Sequence, residues 1–411
     1  MPRREQCRIC EGGRLSRFLD LGLSPLANRF LRKEQLDEVE PRFPLDVFIC
    51  RDCSLVQLVE VVDPEVLFRD YVYVSGTSET MRAHFAAFAD SVTARFALRP
   101  GDLVLEVASN DGTFLRNFEG RGLRLLGVEP AANIAKIARE SGIETINEFF
   151  DEHLGAEVRR GHGAAACVLA TNVFAHVDDV NGFVRGVLNV LSPEGVFIFE
   201  NSYVRDMIDH LEFDSIYHEH LSYFAVTALS TLFDRHGMEI FDVEHQPVHG
   251  GTLRVFVKRA EASHRVTPAP ARFRRDEKMA GLCELSAYES FAAKVYRLRT
   301  SLLDLLHRLR AEGKSVVAYG SSAKGNTLLN FMNIGPELVA YIVDRNSLKQ
   351  GTFTPGMHLP VLPVQRLVED RPDYALLLAW NFADEVLQQQ RSYVEAGGRF
   401  IVPAPAPHVI P

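Results

Sequence analysis

No run of apolar residues in this 411-residue chain reaches the roughly 18 that a bilayer crossing needs. The opening stretch, MPRREQCRIC, has no apolar core of the kind a secretion signal carries. Together these absences predict a soluble, cytoplasmic protein with no membrane partner. Positive charge is scarce as well. With 45 Lys and Arg against 54 Asp and Glu, the formal net charge is −9, which argues against a general nucleic-acid binder but not against a local anion site. There is no G-x4-G-K-[ST] loop, so ATP chemistry is not implied, and no intact GxGxxG. No short-period repeat or broad heptad pattern is present, which leaves a monomer as the expected state. Tryptophan occurs once, at Trp380, and cysteine only 6 times.

What is there sorts into three parts. Residues 1–65 are turn-rich and bounded by cysteines, with PLDVFICRDCSLVQLVEVV reading as a strand beside a knuckle. Residues 66–265 open on a helical pattern over about 66–98, with Ser78 as its cap. They then alternate strand and helix: DLVLEVAS, LRLLGVEP, AACVLATNVF and GVFIFENSY are the strands, and GTLRVFVKR is a late antiparallel one. Residues 266–411 begin in a basic, Pro-containing connector over 260–275. A helix ending at Gly313 follows, then a second alternation through SVVAYGSSAKGNTLLNF, LVAYIVDRN, DYALLLAWNF and RFIVPAP, and an extended tail. Strands alternating with helices predict an α/β chain: a zinc-binding module, a middle Rossmann-like domain and a second Rossmann-like domain.

Cys7 and Cys10, then Cys50 and Cys53 after a 39-residue gap, have the spacing of a tetrahedral four-cysteine zinc site. Four thiolates leave no open position, so the metal is expected to be structural. Cys167 and Cys283 read as inert core thiols. In VLEVASNDGTFL, the first strand-turn-helix of the middle domain, the usual glycines have become Ala108, Ser109, Asn110 and Asp111 before Gly112. A dinucleotide would want those glycines for its pyrophosphate, so their loss favours S-adenosylmethionine. Glu129, ending the second strand, is placed to accept from ribose hydroxyls.

These stretches, with GVEP, YHEHLSYF, VHGGTLRVF and GSSAKGNTLL, occur in the order seen in the sugar C-methyltransferases, which the chain resembles over nearly its whole length. The resemblance implies S-adenosylmethionine as methyl donor and a dTDP-linked 4-keto-deoxysugar from an antibiotic pathway as acceptor, methylated on carbon, commonly C3. It makes the middle domain a methyltransferase domain and the C-terminal one a sugar-nucleotide domain.

Carbon methylation needs a base to remove a proton beside a ketone, and a donor for the enolate. The family's Y-x-E-H motif falls on Tyr217, Glu219 and His220. This makes His220 the base, Tyr217 the hydroxyl near the ketone and Glu219 a partner in the network, with His218 in reserve. By resemblance Tyr71 reaches the sugar, and Ser75 and Ser78 line its site. Cofactor contacts are expected from Glu106, Ala108, Asn110, Asp111, Gly112, Glu129, Pro130, Asn172, Phe174 and His176. Gly320, Ser321, Ser322 and Lys324 sit between strand and helix, where backbone N–H groups suit a diphosphate. Asp344 has the position of a ribose-binding acid, Trp380 of a base-stacking ring, and His249 of a turn the substrate approaches. Oxygen or nitrogen methylation, an NAD oxidoreductase and a zinc-dependent scaffold are the competing readings.

Overall fold

The run Leu103–Val107 is buried at all five positions, as a strand covered on both faces must be. In the computed structural model, which describes residues 3–69, 79–248 and 250–411, it lies inside a seven-stranded sheet. Leu103–Val107 pairs in parallel with Arg124–Val128 and Ala165–Thr171, and the sheet extends through Leu191–Ser202. Thr252–Arg259 and Met238–Gln246 join antiparallel at that edge, and Thr145–Ile146 pairs in parallel with Arg124–Val128 at the other, making seven. A second, six-stranded sheet is built on Val316–Tyr319, with Ile342–Asp344 and Tyr374–Leu377 as parallel neighbours. Its last strand, His408–Ile410, pairs antiparallel, so the expected extended tail closes the sheet edge.

The zinc module is a four-stranded antiparallel sheet with an unexpected member. Leu15–Ser24, Phe43–Cys50 and Val56–Leu58 come from the module itself, but the fourth strand is Ser222–Tyr223 from the YHEHLSYF stretch. The two CxxC turns are copies of each other. In each, the residue four after the first cysteine, Glu11 or Ser54, has positive φ and donates its N–H to that cysteine's carbonyl, at 3.0 and 2.9 Å. The four sulfurs lie within 4.8 Å of one another, with Cys7–Cys53 and Cys10–Cys50 both at 3.5 Å. A tetrahedron with Zn–S bonds of about 2.3 Å has edges of about 3.8 Å, so the donor set fits zinc.

The basic connector expected over 260–275 is partly helix, Ala269–Met279. Proline is tolerated in its first turn, and its arginines face outward. It docks through Glu277, fully buried, whose carboxylate accepts from the Val226 and Thr227 N–H groups at 2.7 and 2.8 Å and from Tyr203 Oη at 3.0 Å. The next helix runs Leu285–Ala311, ending close to the expected Gly313, and buries Tyr288, Phe291, Val295, Leu298, Leu302, Leu306 and Leu309 at helical spacing. One continuous apolar core takes in Leu19 and Val47 of the zinc module, Val204 and Phe213 of the middle domain, this helix, and Ala318 and Leu376 beyond it. Among the described residues, no helix is long and apolar enough to cross a membrane.

Structural zinc contributes on the order of 10 kcal/mol to small zinc domains. Cys50→Ser is expected to strip the metal and unfold the module, which metal analysis alongside thermal unfolding checks; a zinc-free protein as stable as the parent would contradict it.

Candidate functional site

A cavity of ≈ 700 Å³ opens at the carboxyl ends of the middle-domain strands, where open α/β sheets bind ligands. Glu106, Ala108, Ser109, Asn110, Glu129, Pro130, Asn172 and His176 all line it. Ala108, Asn110 and Asn172 hold positive φ of 52°, 49° and 55°. Such backbone strain costs on the order of 1–3 kcal/mol each and collects at functional sites. Glu129 takes the Asn110 N–H at 2.9 Å and the Ala131 N–H at 2.8 Å, which fixes the loop and leaves each oxygen a further lone pair. Burial holds its pKa above the usual range. Burial, then Asp111 and Glu129, push Glu106 well up, and its Oε2 has no partner among the described residues. Phe85, Phe114, Phe150 and Phe183 supply an apolar surface beside these acids. An acidic wall on which, among the described residues, one Glu106 oxygen and the Ser109 hydroxyl have no partner fits a ligand bearing hydroxyls and positive charge, as S-adenosylmethionine does. Asp111, Gly112 and Phe174 do not line the cavity. Asp111 accepts from Thr113 N–H at 3.2 Å, Gly112 has φ +75°, and Phe174 stacks on Phe224 with ring centroids 5.1 Å apart.

The YHEH stretch is a turn closed by His220 N–H to Tyr217 O at 2.8 Å. This puts residues three apart on one side: the Tyr217 and His220 rings are 4.1 Å apart at their centroids, and both line the cavity. His220 Nδ1 lies 2.8 Å from Ser215 O. A carbonyl only accepts, so Nδ1 carries the hydrogen, and Nε2 receives the Tyr217 hydroxyl at 2.9 Å. Burial, and then the charge of Lys324, lower the His220 pKa to about 4. Burial, then His220, lower His176 to about 3; its ring meets His220 edge-on at 4.9 Å. The middle two residues of the turn face elsewhere. His218 is buried and donates Nε2–H to Pro44 O at 3.2 Å in the zinc module. Glu219 accepts from Asn28 Nδ2 at 2.7 Å rather than pairing with His220.

The opposite wall belongs to the C-terminal domain. Ser322 and Lys324 line the cavity; Gly320, Ser321, Asp344 and Trp380 do not. Ser322 caps the helix Ala323–Met332 by accepting from Gly325 N–H at 3.0 Å. Asp344 takes the Ser321 N–H at 2.6 Å, as Glu129 takes that of Asn110. Lys324 reaches back to the middle domain, 2.9 Å from Glu212 and 3.7 Å from Asp214, and Trp380 donates to Asp214 at 2.7 Å. Burial pulls the Lys324 pKa down, but Asp214 and Glu212 outweigh it and leave it raised. Its charge is therefore already matched.

Residues that sequence reasoning missed complete the site. Lys349 lines the cavity with Nζ 2.6 Å from Ser321 O and no carboxylate at ion-pair distance among the described residues. Asn28 brings the zinc module to the cavity rim. Neither belongs to a motif, and only the asparagine's place in a turn-rich loop hinted at exposure. Tyr71, Ser75, Ser78 and His249 lie outside the described residues.

Removing the lysine from the Glu212–Asp214 cluster leaves two buried carboxylates with only the Trp380 N–H and the exposed His210 ring beside them, a loss of about 3 kcal/mol. Lys324→Met is expected to lower the unfolding free energy by that order in denaturant titrations at neutral pH, and to lose much of the deficit in Glu212→Gln/Lys324→Met.

Three family descriptions match the chain in turn: "Putative zinc binding domain" over residues 7–68, "Methyltransferase domain" over 81–243 and "C-methyltransferase C-terminal domain" over 247–405. The chain is 38% identical to the C-methyltransferase NovU of Streptomyces niveus over 406 residues, covering 99% of this chain and 97% of that protein. Among solved structures it is similar to a methyltransferase from Anabaena variabilis, at 13% identity, TM-score 0.34, covering 43% of this chain and 85% of that one. It is likewise similar to the magnesium protoporphyrin IX methyltransferase of Synechocystis, at 12% identity, TM-score 0.34, covering 46% and 85%. With an end-to-end relative at this identity, its three matched parts in order and a four-cysteine cluster at its start, the chain belongs to the S-adenosylmethionine-dependent, zinc-binding C-methyltransferases.

Proposed function

We propose that the chain methylates a carbon beside the ketone of a nucleotide-linked 4-keto-deoxysugar, the dTDP-linked sugar methylated at C3 being the leading acceptor, with His220 as the base. The observation that carries this reading is the fixed tautomer of His220. Ser215 O holds Nδ1–H, so Nε2 presents a lone pair on the cavity side, beside the Tyr217 hydroxyl. Bound S-adenosylmethionine supplies an electrophilic methyl group; the residues suited to hold it are Glu106, Ser109, Asn110, Glu129 and Asn172.

The acceptor's C–H displaces the tyrosine hydroxyl from Nε2, and the proton passes to the ring. The hydroxyl of Tyr217, no longer needed by the imidazole, then turns its hydrogen to the oxygen where enolate charge develops. Glu219, held by Asn28, keeps the turn in register rather than accepting the proton. On the opposite wall Lys349 and the polar edges of Asn346 and Asn381 are the groups suited to a sugar-nucleotide diphosphate, since Lys324 is matched by Glu212. Charge and chemistry agree: cation toward the diphosphate, acids toward the methyl donor.

Incubation with labelled methyl donor and a panel of dTDP-4-ketosugars tests the assignment by product mass and methyl position; methyl found only on oxygen or nitrogen would sink it. His220→Asn is expected to retain cofactor affinity and lose on the order of 10²–10⁴ in turnover, with Tyr217→Phe losing less. The pH profile gives an independent check. A base whose pKa is depressed to about 4 stays unprotonated at neutral pH, so kcat/KM should hold level through pH 6 and fall only as pH drops toward 4. The same depression makes folding less favourable as pH falls from about 6.5, the unfolded value, toward 4, because the unfolded chain takes up the proton first. His220→Asn is expected to make that part of the stability profile less steep, the shares of His176 and His218, which burial also depresses, remaining.

A further inference from the structure

Past the ring of His220 the cavity continues into a recess of ≈ 30 Å³. His220, His176, Ser215 and Glu212 stand in the walls of both. The recess is lined by buried polar groups whose hydrogen-bonding capacity the described residues do not use. Asn201 is 2% exposed, and neither its amide oxygen nor its nitrogen has a partner; Ser222 Oγ and Tyr223 Oη, on residues 1% and 5% exposed, are likewise unpartnered. Leaving such groups dry is costly. A polar recess with room for one probe sphere of about 10–15 Å³ and several partners is where ordered water resides.

The far wall carries Asp206 and the backbone of Gly250 and Gly251. His245 Nε2 lies 2.7 Å from Asp206 Oδ2, and the His245 side chain is 43% exposed. The paired glycines of VHGGTLRVF make this arrangement possible. A Cβ on Gly251 would stand 2.1 Å from Asp206 Oδ2, and one on Gly250 2.2 Å from Glu212 Oε1; their φ values are +123° and +88°. A continuous set of proton-bearing groups thus leads from the base, through the recess, to solvent.

We infer that the recess holds water that carries the proton taken up by His220 to Asp206 and His245, a proton exit separate from the mouth through which substrate enters. The inference rests on His220 acting as the base. The balance is simple. The acceptor's C–H bond breaks, its electron pair stays on the acceptor for the new carbon–carbon bond, and one proton per turnover must reach bulk solvent. It passes from the His220 ring, which borders the recess, to water there, from water to the Asp206 carboxylate, and from there to His245 and the solvent, returning each group to its starting state. With cofactor and acceptor filling the main cavity, this is the route the geometry leaves open.

The test follows deuterium uptake from D2O at the carbon beside the ketone of a dTDP-4-keto-deoxysugar, by NMR, with S-adenosylhomocysteine filling the cofactor site and no methyl donor present. Wild type, Ser222→Val and His245→Gln are compared, each first matched in S-adenosylhomocysteine affinity and melting temperature. Ser222→Ala, which removes the hydroxyl without adding volume, stands in if valine disturbs the strand. Wild type is expected to exchange and both variants to exchange about tenfold more slowly. Imidazole buffer should restore His245→Gln, whose defect is at the surface, and not Ser222→Val. Exchange at the wild-type rate in both variants, or a His245→Gln defect that no buffer relieves, overturns the recess route. No exchange even in wild type overturns His220 as the base, which is a different failure.

Discussion

Two residues of backbone pairing hold the site together. Ser222 and Tyr223 lie antiparallel to Gln57 and Val56, Leu58 N–H reaches Leu221 O at 3.0 Å, and Leu221 N–H reaches Ala175 O at 2.8 Å. Through these bonds the strand that follows the YHEH turn is shared between the zinc module and the loop after Ala165–Thr171. The pairing is short, and an isolated two-residue strand has no stability of its own. Its register is held because the zinc site fixes one partner and the seven-stranded sheet fixes the other. The four-cysteine site thereby helps to set where Tyr217 and His220 stand, although none of its cysteines lines the cavity.

The same logic runs through the polar contacts between modules. Asn181 of the middle domain donates to Arg8 O at 2.7 Å, Asn326 of the C-terminal domain to Ala27 O at 2.7 Å, and Gly356 N–H to Glu40 at 2.9 Å. Arg8, fully buried, pairs with Asp178 at 3.0 Å. With the continuous apolar core, these contacts make the cavity a property of three modules packed together and not of any one. A cavity assembled in this way can place acids on one wall and an unmatched lysine on the other without either destabilising its own sheet.

Much of this was legible in the sequence, for reasons that differ by feature. The cysteine spacing gave the metal cluster because coordination chemistry admits few alternatives. Leu103–Val107 and Val316–Tyr319 were readable because doubly covered strands are apolar without interruption. Helix starts are less so: the exposed face of Ala269–Met279 is basic and reads as a connector, and what docks the helix is one buried glutamate, Glu277. Within the site, the motif assigns Glu219 and His220 different roles but not their different directions, and the sequence points to Lys324 while giving no sign of Lys349. Adjacent residues in a tight turn face different ways, and an ion pair such as Lys324–Glu212 joins positions 112 apart. Asn201, Ser222 and Tyr223 are not legible for the same reason: what marks them is that their buried side-chain polar atoms have no hydrogen-bond partner among the described residues, which only packing can show.

The C-terminal domain is instructive because it repeats the middle domain's geometry without repeating its site. Asp344 ends the second strand of its sheet and accepts from the first loop, at Ser321 N–H, and from Asn346 N–H at 2.7 Å. Glu129 does the same at Asn110 and Ala131. Yet Glu129 faces the cavity and Asp344 does not. What the second domain turns toward the cavity is the adjacent edge, where Ser322, Asn346 and Lys349 stand. An NAD-binding half would need its ribose acid on the ligand side. Here that acid organises the loop that positions Lys349 through Ser321 O, so the second Rossmann-like domain serves as one wall of the cavity, and the redox reading of its sequence loses its physical basis.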